Sequence, residues 1–214
     1  YPNSRIVIVS ATIKQAALIV TEKIETELMN SSPILRKEIM KITTNANKIQ
    51  VKFRNGSTIT VTSVRGERST VLGRDEFRQI KKNDDDTIFS PYQMVRQVPY
   101  LKDPYYANVP ELLEEPTNVY ISSSWREPHW MWKLFDDTFT DMMNGKKSCA
   151  LGFDESVTLK HNIRTQNQLQ QEKRKLDPMS FEIEYLNVRM KENTDAFFPY
   201  ELIEKNLVLR KPFF

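Results

Sequence analysis

"RIVIVSATIKQAALIVTEKIETEL", residues 5–28, decides the fold class. Its start, "RIVIVS" (5–10), is a short continuous apolar run, as expected of a buried strand in a parallel sheet. Directly behind it, Ile13, Ala17, Val20, Ile24 and Leu28 recur at three- and four-residue steps, the spacing of one helix face. A strand, a short turn and a helix make half of a βαβ unit.

The rest of the chain extends this pattern. In "IQVKFRNGSTITVT" (49–62), Ile49, Val51 and Phe53 alternate before Asn55-Gly56, and Ile59 and Val61 alternate after it. Asn-Gly accepts the positive φ angles of a tight turn, so this stretch is expected to be a hairpin. Further strands are expected at "TVL" (70–72), "NVYISSS" (118–124, buried) and "SCALGF" (148–153). Between the last two, Met131, Phe135, Phe139, Met142 and Met143 form the stripe of a helix that Gly145 is placed to end. Five prolines between 91 and 117 predict an irregular surface excursion. "QNQLQQEKRKL" (166–176) and "DPMSFEIEYLNVRM" (177–190) predict two more helices, the second with Pro178 near its start. Strands alternating with helices argue for an α/β sheet.

Composition narrows the function. The chain has 214 residues, is 39% hydrophobic and 28% charged, and carries a net charge of +3, too mild to demand a nucleic-acid partner. No apolar run approaches the roughly 18 residues of a membrane span. The single cysteine, Cys149, excludes an intrachain disulfide and a cysteine zinc cluster. His129 and His161 lack metal-ligand spacing, so a metal site would be built from carboxylates, which suit magnesium. The chain opens on Tyr1 rather than Met, as a fragment or processed product does.

The candidate chemistry centres on "TVLGRDEF" (70–77). An acid at the end of a strand can orient magnesium-bound water, and a second acid beside it can act as base. Taken alone, Asp75 and Glu76 read better as solvated acids at a helix start, where negative charge is favourable. Gly73-Arg74 interrupts the apolar run and is expected to shorten the strand or bend its end. Arg65 and Arg68 in "SVRGERST" (63–70) can stabilise phosphoryl charge or pair with Glu67 or Asp75. The hydroxyls of "VYISSSW" (119–125) can sense a γ-phosphate or cap a strand. "KKNDDD" (81–86) is expected to be a solvated loop. Lys81-Lys82, Lys146-Lys147 and Lys173-Arg174-Lys175 are small basic clusters able to touch phosphates. Trp130 and Trp132 point to different faces of their helix and are expected to pack rather than stack on bases. "NGKKS" (144–148) is no phosphate loop: Thr140 stands where the first glycine belongs, Lys147 replaces Ser/Thr, and the helix precedes the turn.

In order, "SATIKQA", a hairpin, "RGER", "DEF" and "YISSSW" resemble the ATPase domain of phage large terminase subunits, the DNA-packaging motors. Ala11, Thr12, Gln15 and Ala16 match the turn that ends the family's first strand after the phosphate loop. Arg65, Gly66 and Arg68 match its Arg-Gly-x-Arg segment, Asp75 and Glu76 its Walker B acids, and Ser122 and Ser123, with Ser124 beside them, its coupling motif. "NTDAFFPYELIEKN" (193–206) resembles the passage towards the nuclease domain. The resemblance implies a P-loop NTPase-type, mainly parallel sheet flanked by helices, with an ATPase core over 1–154 and a small helical linker subdomain over 155–214.

It also implies roles. Asp75 holds magnesium and Glu76 activates water. Gln15, Ser122 and Ser123 join Asp75 around ATP, and Arg65 and Arg68 act on phosphoryl charge. The implied partners are double-stranded DNA, the portal protein, the small terminase subunit and further copies in a pentameric ring, with no membrane. The implied place is the host cytoplasm, at the procapsid portal. The phosphate loop falls before this chain and the nuclease carboxylates after it, so the chain alone is expected to be inactive. Two other classes compete: a non-enzymatic DNA-binding or capsid adaptor on a degenerate NTPase fold, motivated by Gly73-Arg74 and the absent phosphate loop, and a helicase-like translocase, which needs a second motor domain.

Overall fold

Ile6, Val7, Ile8 and Val9 are β-branched and favour the extended backbone, and they form the centre of strand β1, Arg5–Ser10. The computed structural model describes residues 2–10, 17–45, 48–62, 67–95, 104–106, 109 and 115–190. Strands β2 (Ile39–Asn45), β3 (Lys48–Phe53), β4 (Thr58–Thr62), β5 (Val71–Asp75) and β6 (Thr117–Ile121) join β1 in one sheet, in the order β2-β3-β4-β1-β5-β6. β1 runs parallel to both β4 and β5, and β5 runs parallel to β6. Among the described strands only the pairs β2–β3 and β3–β4 are antiparallel. The expected mainly parallel α/β sheet is therefore present. The chain divides into two compact units, Tyr1–Ser122 and Ser123–Phe214.

In the first unit both faces of the sheet are covered. The helix Ile19–Leu28, wound with wide π-type turns, buries Val20 and Ile24 against Ile49, Val51 and Val61. These are the apolar positions expected of the helix and of the hairpin. At the hairpin turn Gly56 has φ +79°, a backbone conformation that glycine adopts without strain and other residues rarely do. On the other face Val7, Val9, Thr62 and Leu72 lie under Ile88, Phe89 and Tyr92.

Four expectations need correction here. β5 does not stop at Leu72; it runs unbroken through Gly73 and Arg74 to Asp75. Side chains alternate along a strand, so Arg74 shares the face of Leu72, and its charge is matched there by a partner described below. β6 is an edge strand among the described residues, not a buried one, with Val119 38% and Ile121 62% exposed. Residues 148–153 form no strand: they have no ladder partner, and Leu151 and Phe153 are exposed. "KKNDDD" is not a solvated loop, because Lys82–Asp84 and Asp85–Phe89 are helical and Asp85 is 2% exposed.

The second unit is helical. Trp130–Met143 starts at His129, whose ring Nδ1 accepts from the Met131 N–H, and Gly145 follows its end with φ +73°. Trp132 donates through Nε1 to the Trp125 carbonyl and lies under the Arg189 guanidinium, so it packs as expected. Glu155–Lys160, Gln166–Lys175 and Pro178–Glu184 begin at Asp154, Thr165 and Asp177, whose side chains accept from their first-turn N–H groups. Leu169, Phe181 and Ile183 are buried there. Most of the proline-rich stretch lies outside the described residues.

Candidate active site

Three parallel strands end level with one another: Ser10 on β1 pairs with Asp75 on β5, which pairs with Ile121 on β6. The carboxyl edge of a parallel sheet is where α/β folds bind ligands, because the loops leaving it diverge. Glu76 and Ser122 come next in their segments. The expected acids and the first expected hydroxyl are thus brought to the same edge.

Two hydroxyls at this edge, Ser10 Oγ and Ser122 Oγ, are buried and have no hydrogen-bond partner among the described residues. A buried polar group left unmatched costs about 1–3 kcal/mol, so both hydroxyls are available to a ligand at this edge. Ser10 was missed by sequence reasoning, where it counted only as the last residue of an apolar strand. The Asp75 carboxylate makes no hydrogen bond or ion pair to another described residue.

Glu76 leaves the strand in the left-handed region, at φ 50°, ψ 46°. That conformation costs an L-residue about 1–2 kcal/mol and is typical of functional positions. The turn is held by the Gln79 N–H donating to the Glu76 carbonyl (2.9 Å) and by Phe77, which packs edge-on to Tyr120. The Glu76 carboxylate accepts from Arg78 Nε at 3.0 Å. Glu76→Gly, which relieves the backbone strain, is expected to leave unfolding free energy unchanged or raise it by up to about 1 kcal/mol, while removing any catalytic role; a urea titration checks the first part.

The other predicted residues are placed differently. Gln15 and Arg65 lie outside the described residues. Arg68 is exposed and precedes β5, near Thr70, whose N–H donates to the Arg5 carbonyl at the start of β1. From Thr70 to Asp75 is roughly 17 Å at about 3.3 Å per residue, so Arg68 and Asp75 occupy opposite edges of the sheet. Glu67 pairs with Lys48. Ser123 begins the second unit. Ser124 is buried, and its hydroxyl lies 2.7 Å from the Val188 carbonyl and 3.2 Å from that of Ile183, which gives it a structural task.

Beneath the acids lies a group that the sequence did not disclose. Arg74 is 1% exposed. Its Nε donates to Asp85 Oδ1 (2.5 Å), Nη1 to Asn118 Oδ1 (2.7 Å) and Nη2 to Ser90 Oγ (3.0 Å). Its guanidinium carbon lies 4.3 Å from the centre of the Tyr120 ring, and the Tyr120 hydroxyl donates to Asp85 Oδ2 at 3.3 Å. An arginine inside an apolar strand implies a buried acid elsewhere, but nothing local identifies Asp85 among three consecutive aspartates.

Burial, opposed by the Arg74 charge and reinforced by that of Asp85, pushes the Tyr120 phenol up to about 12. An unfolded tyrosine titrates near 10. The folded state therefore holds this proton more tightly: its contribution is complete below about pH 10 and is lost as pH rises towards about 12. Tyr120→Phe is expected to flatten the alkaline fall of the melting temperature across that window relative to the parent protein. An unchanged slope would remove the effect.

Neither a protein-family profile nor a curated protein sequence matches this chain. Solved structures do. The large terminase of a thermophilic bacteriophage, in complex with ATP-gamma-S, aligns at a TM-score of 0.53 and 13% identity over 90% of this chain and 41% of its own. The large terminase ATPase domain of Thermus phage P74-26 aligns at 0.51 and 13% identity over 87% of this chain and 76% of its own. The HK97 bacteriophage large terminase aligns at 0.56 and 16% identity over 88% of this chain and 40% of its own. The chain thus spans about two fifths of the whole large terminases it matches. At these identities the likeness establishes the fold, which is that of the large terminase ATPase domain.

Proposed function

We propose that this chain is the central part of a phage large terminase subunit, with Asp75 and Glu76 as the acids of its ATPase site. The observation that carries the reading is the level carboxyl edge of β1, β5 and β6. It gathers, on a terminase ATPase fold, a strained acid together with a carboxylate and two buried hydroxyls that have no partner among the described residues. Gly73-Arg74, one of the two grounds for the adaptor reading, lies inside an unbroken strand and no longer favours it.

ATP and magnesium fit these residues. Asp75, Ser10 and Ser122 offer oxygen donors only, as a hard cation requires. No group of three or more His, Cys, Asp or Glu side chains able to hold a metal occurs among the described residues. A single carboxylate with hydroxyls suits magnesium, which keeps several waters and leans on substrate phosphates. When bound, the ion would neutralise charge developing on the phosphates. Asp75 would orient its hydration shell, and Glu76, turned out of the strand by its left-handed backbone, would accept the proton of the attacking water. Gln15 would contact the nucleotide.

Ser122 and Ser123 straddle the division between the two compact units, which supports their role in passing nucleotide state to the parts that move DNA. Arg68, far from Asp75 in its own chain, would act on the nucleotide of a neighbouring subunit; Arg65 belongs to the same segment. The residues from 155 onwards would form the linker subdomain, followed by a nuclease domain. The assembled motor would be a pentameric ring that meets the portal protein, the small terminase subunit and double-stranded DNA at the procapsid in the host cytoplasm. No helix among the described residues is long and apolar enough to cross a membrane. Residues 1–214 alone would turn over no ATP.

The test is direct. The full-length protein is expected to bind ATP in a magnesium-dependent way by calorimetry, with binding at least ten-fold weaker after Asp75→Ala. Absence of nucleotide binding by the folded full-length protein would sink the proposal.

A further inference from the structure

We propose that Arg74 is a positioning residue for the site: its one guanidinium ties the acid-bearing strand to the strand that leads to the serines and to the segment covering them both. Three elements meet on it. Arg74 stands on β5, one residue before Asp75. Asn118 and Tyr120 stand on β6, three residues and one residue before its end at Ile121, next to Ser122. Asp85 and Ser90 belong to the helical segment 82–92. Leu72 shares this face through its carbonyl, which accepts from Nη1 at 3.3 Å.

Apolar packing would hold these elements together but would let them slide. A planar guanidinium with donors in fixed directions does not, because each donor meets its acceptor in only one arrangement. The residues at the edge are poorly held by other means. Among the described residues β6 has a ladder partner on one side only, and the turn at Glu76 is strained. Phe77, immediately after that turn, rests on the Tyr120 ring, and Arg74 also lies over that ring. A displacement of the 85–90 segment therefore moves Arg74, Tyr120 and the Glu76 turn together. The consequence is that the acids and Ser122 keep one relative geometry, and that the covering segment can alter it.

The test separates positioning from stability. In the full-length protein, Arg74→Met strands the Asp85 charge and is expected to lower the melting temperature. The triple variant Arg74→Met, Asp85→Leu, Tyr120→Phe replaces the ion pair and the phenol with apolar shapes, leaving Asn118 and Ser90 in place, and is expected to regain most of that loss. Amide exchange in 72–76 and 118–122 should nevertheless stay at least ten-fold faster than in the parent, with the 48–62 hairpin unchanged as internal control. Turnover should stay at least ten-fold lower in kcat at unchanged KM for ATP. Exchange and kcat both within two-fold of the parent would show that the network only stabilises, and would overturn the proposal. The turnover arm rests on the ATPase reading above, and the exchange arm does not. A parent without ATP turnover counts against that reading, and exchange alone then decides the role of Arg74. If the triple variant does not fold, Arg74→Lys keeps the charge but loses the fork, and the same ten-fold exchange difference is expected of it.

Discussion

Glu76→Gln in the full-length protein is expected to lower ATP turnover by about a hundred- to ten-thousand-fold, the range for loss of a general base. The amide keeps the shape of the side chain and the donor–acceptor contact to Arg78, whose Nε lies 3.0 Å from the carboxylate. The left-handed backbone at Glu76 is unaffected, since glutamine meets the same strain. Melting temperature and ATP affinity should therefore stay close to those of the parent, so that the loss falls on kcat. Single-turnover kinetics with labelled ATP, beside calorimetric binding, distinguish the outcomes. A Glu76→Gln protein that turns over ATP within a few-fold of the parent removes Glu76 as the base and returns it to the reading of a solvated acid in a turn.

The largest effect on stability is expected from Arg74→Met. Breaking a buried ion pair by removing one partner costs about 3–5 kcal/mol, because the remaining charge stays buried without compensation. Arg74 and Asp85 are 1% and 2% exposed, so little solvent screening reduces the figure. Asp85 would retain only the Tyr120 hydroxyl, at 3.3 Å, from the side chains that now bond to it. At about 2–4 °C per kcal/mol for a chain of this size, the melting temperature should fall by roughly 6–20 °C. Arg74→Met with Asp85→Leu should recover most of this, since apolar replacement of both partners is often neutral. A single variant that melts with the parent would mean that Asp85 reaches water.

These expectations show which parts of the molecule were legible beforehand. The β1 strand, the helix behind it and the Asn55-Gly56 hairpin were readable because each depends on neighbours in sequence: β-branched runs, three- and four-residue apolar steps, and a turn that accepts positive φ. The helices at 130–143, 166–175 and 178–184 were readable for the same reason, through caps and a proline at a helix start. The strand misread at 148–153 has the right composition but no ladder to join. β6 was read as buried because its residues are apolar, whereas its exposure depends on which strands stand beside it.

The site divides along the same line. Sequence order alone placed Asp75, Glu76 and Ser122 in one motif series, and the sheet brings them to one edge because parallel strands end together. It could not show that Arg68 sits at the opposite edge, or that Ser10 brings a buried hydroxyl level with Asp75, because both follow from strand register. Gly73-Arg74 makes the point most sharply. In the sequence they look like an interruption, since a charge inside an apolar run should end a strand. Whether it does depends on a carboxylate eleven residues away, an amide and a phenol on the next strand, and a hydroxyl on the covering segment. The local sequence therefore determined the elements and their order. Only the tertiary structure decided that Arg74 is buried, because the cost of burying a charge is set by partners that come together only when those elements pack.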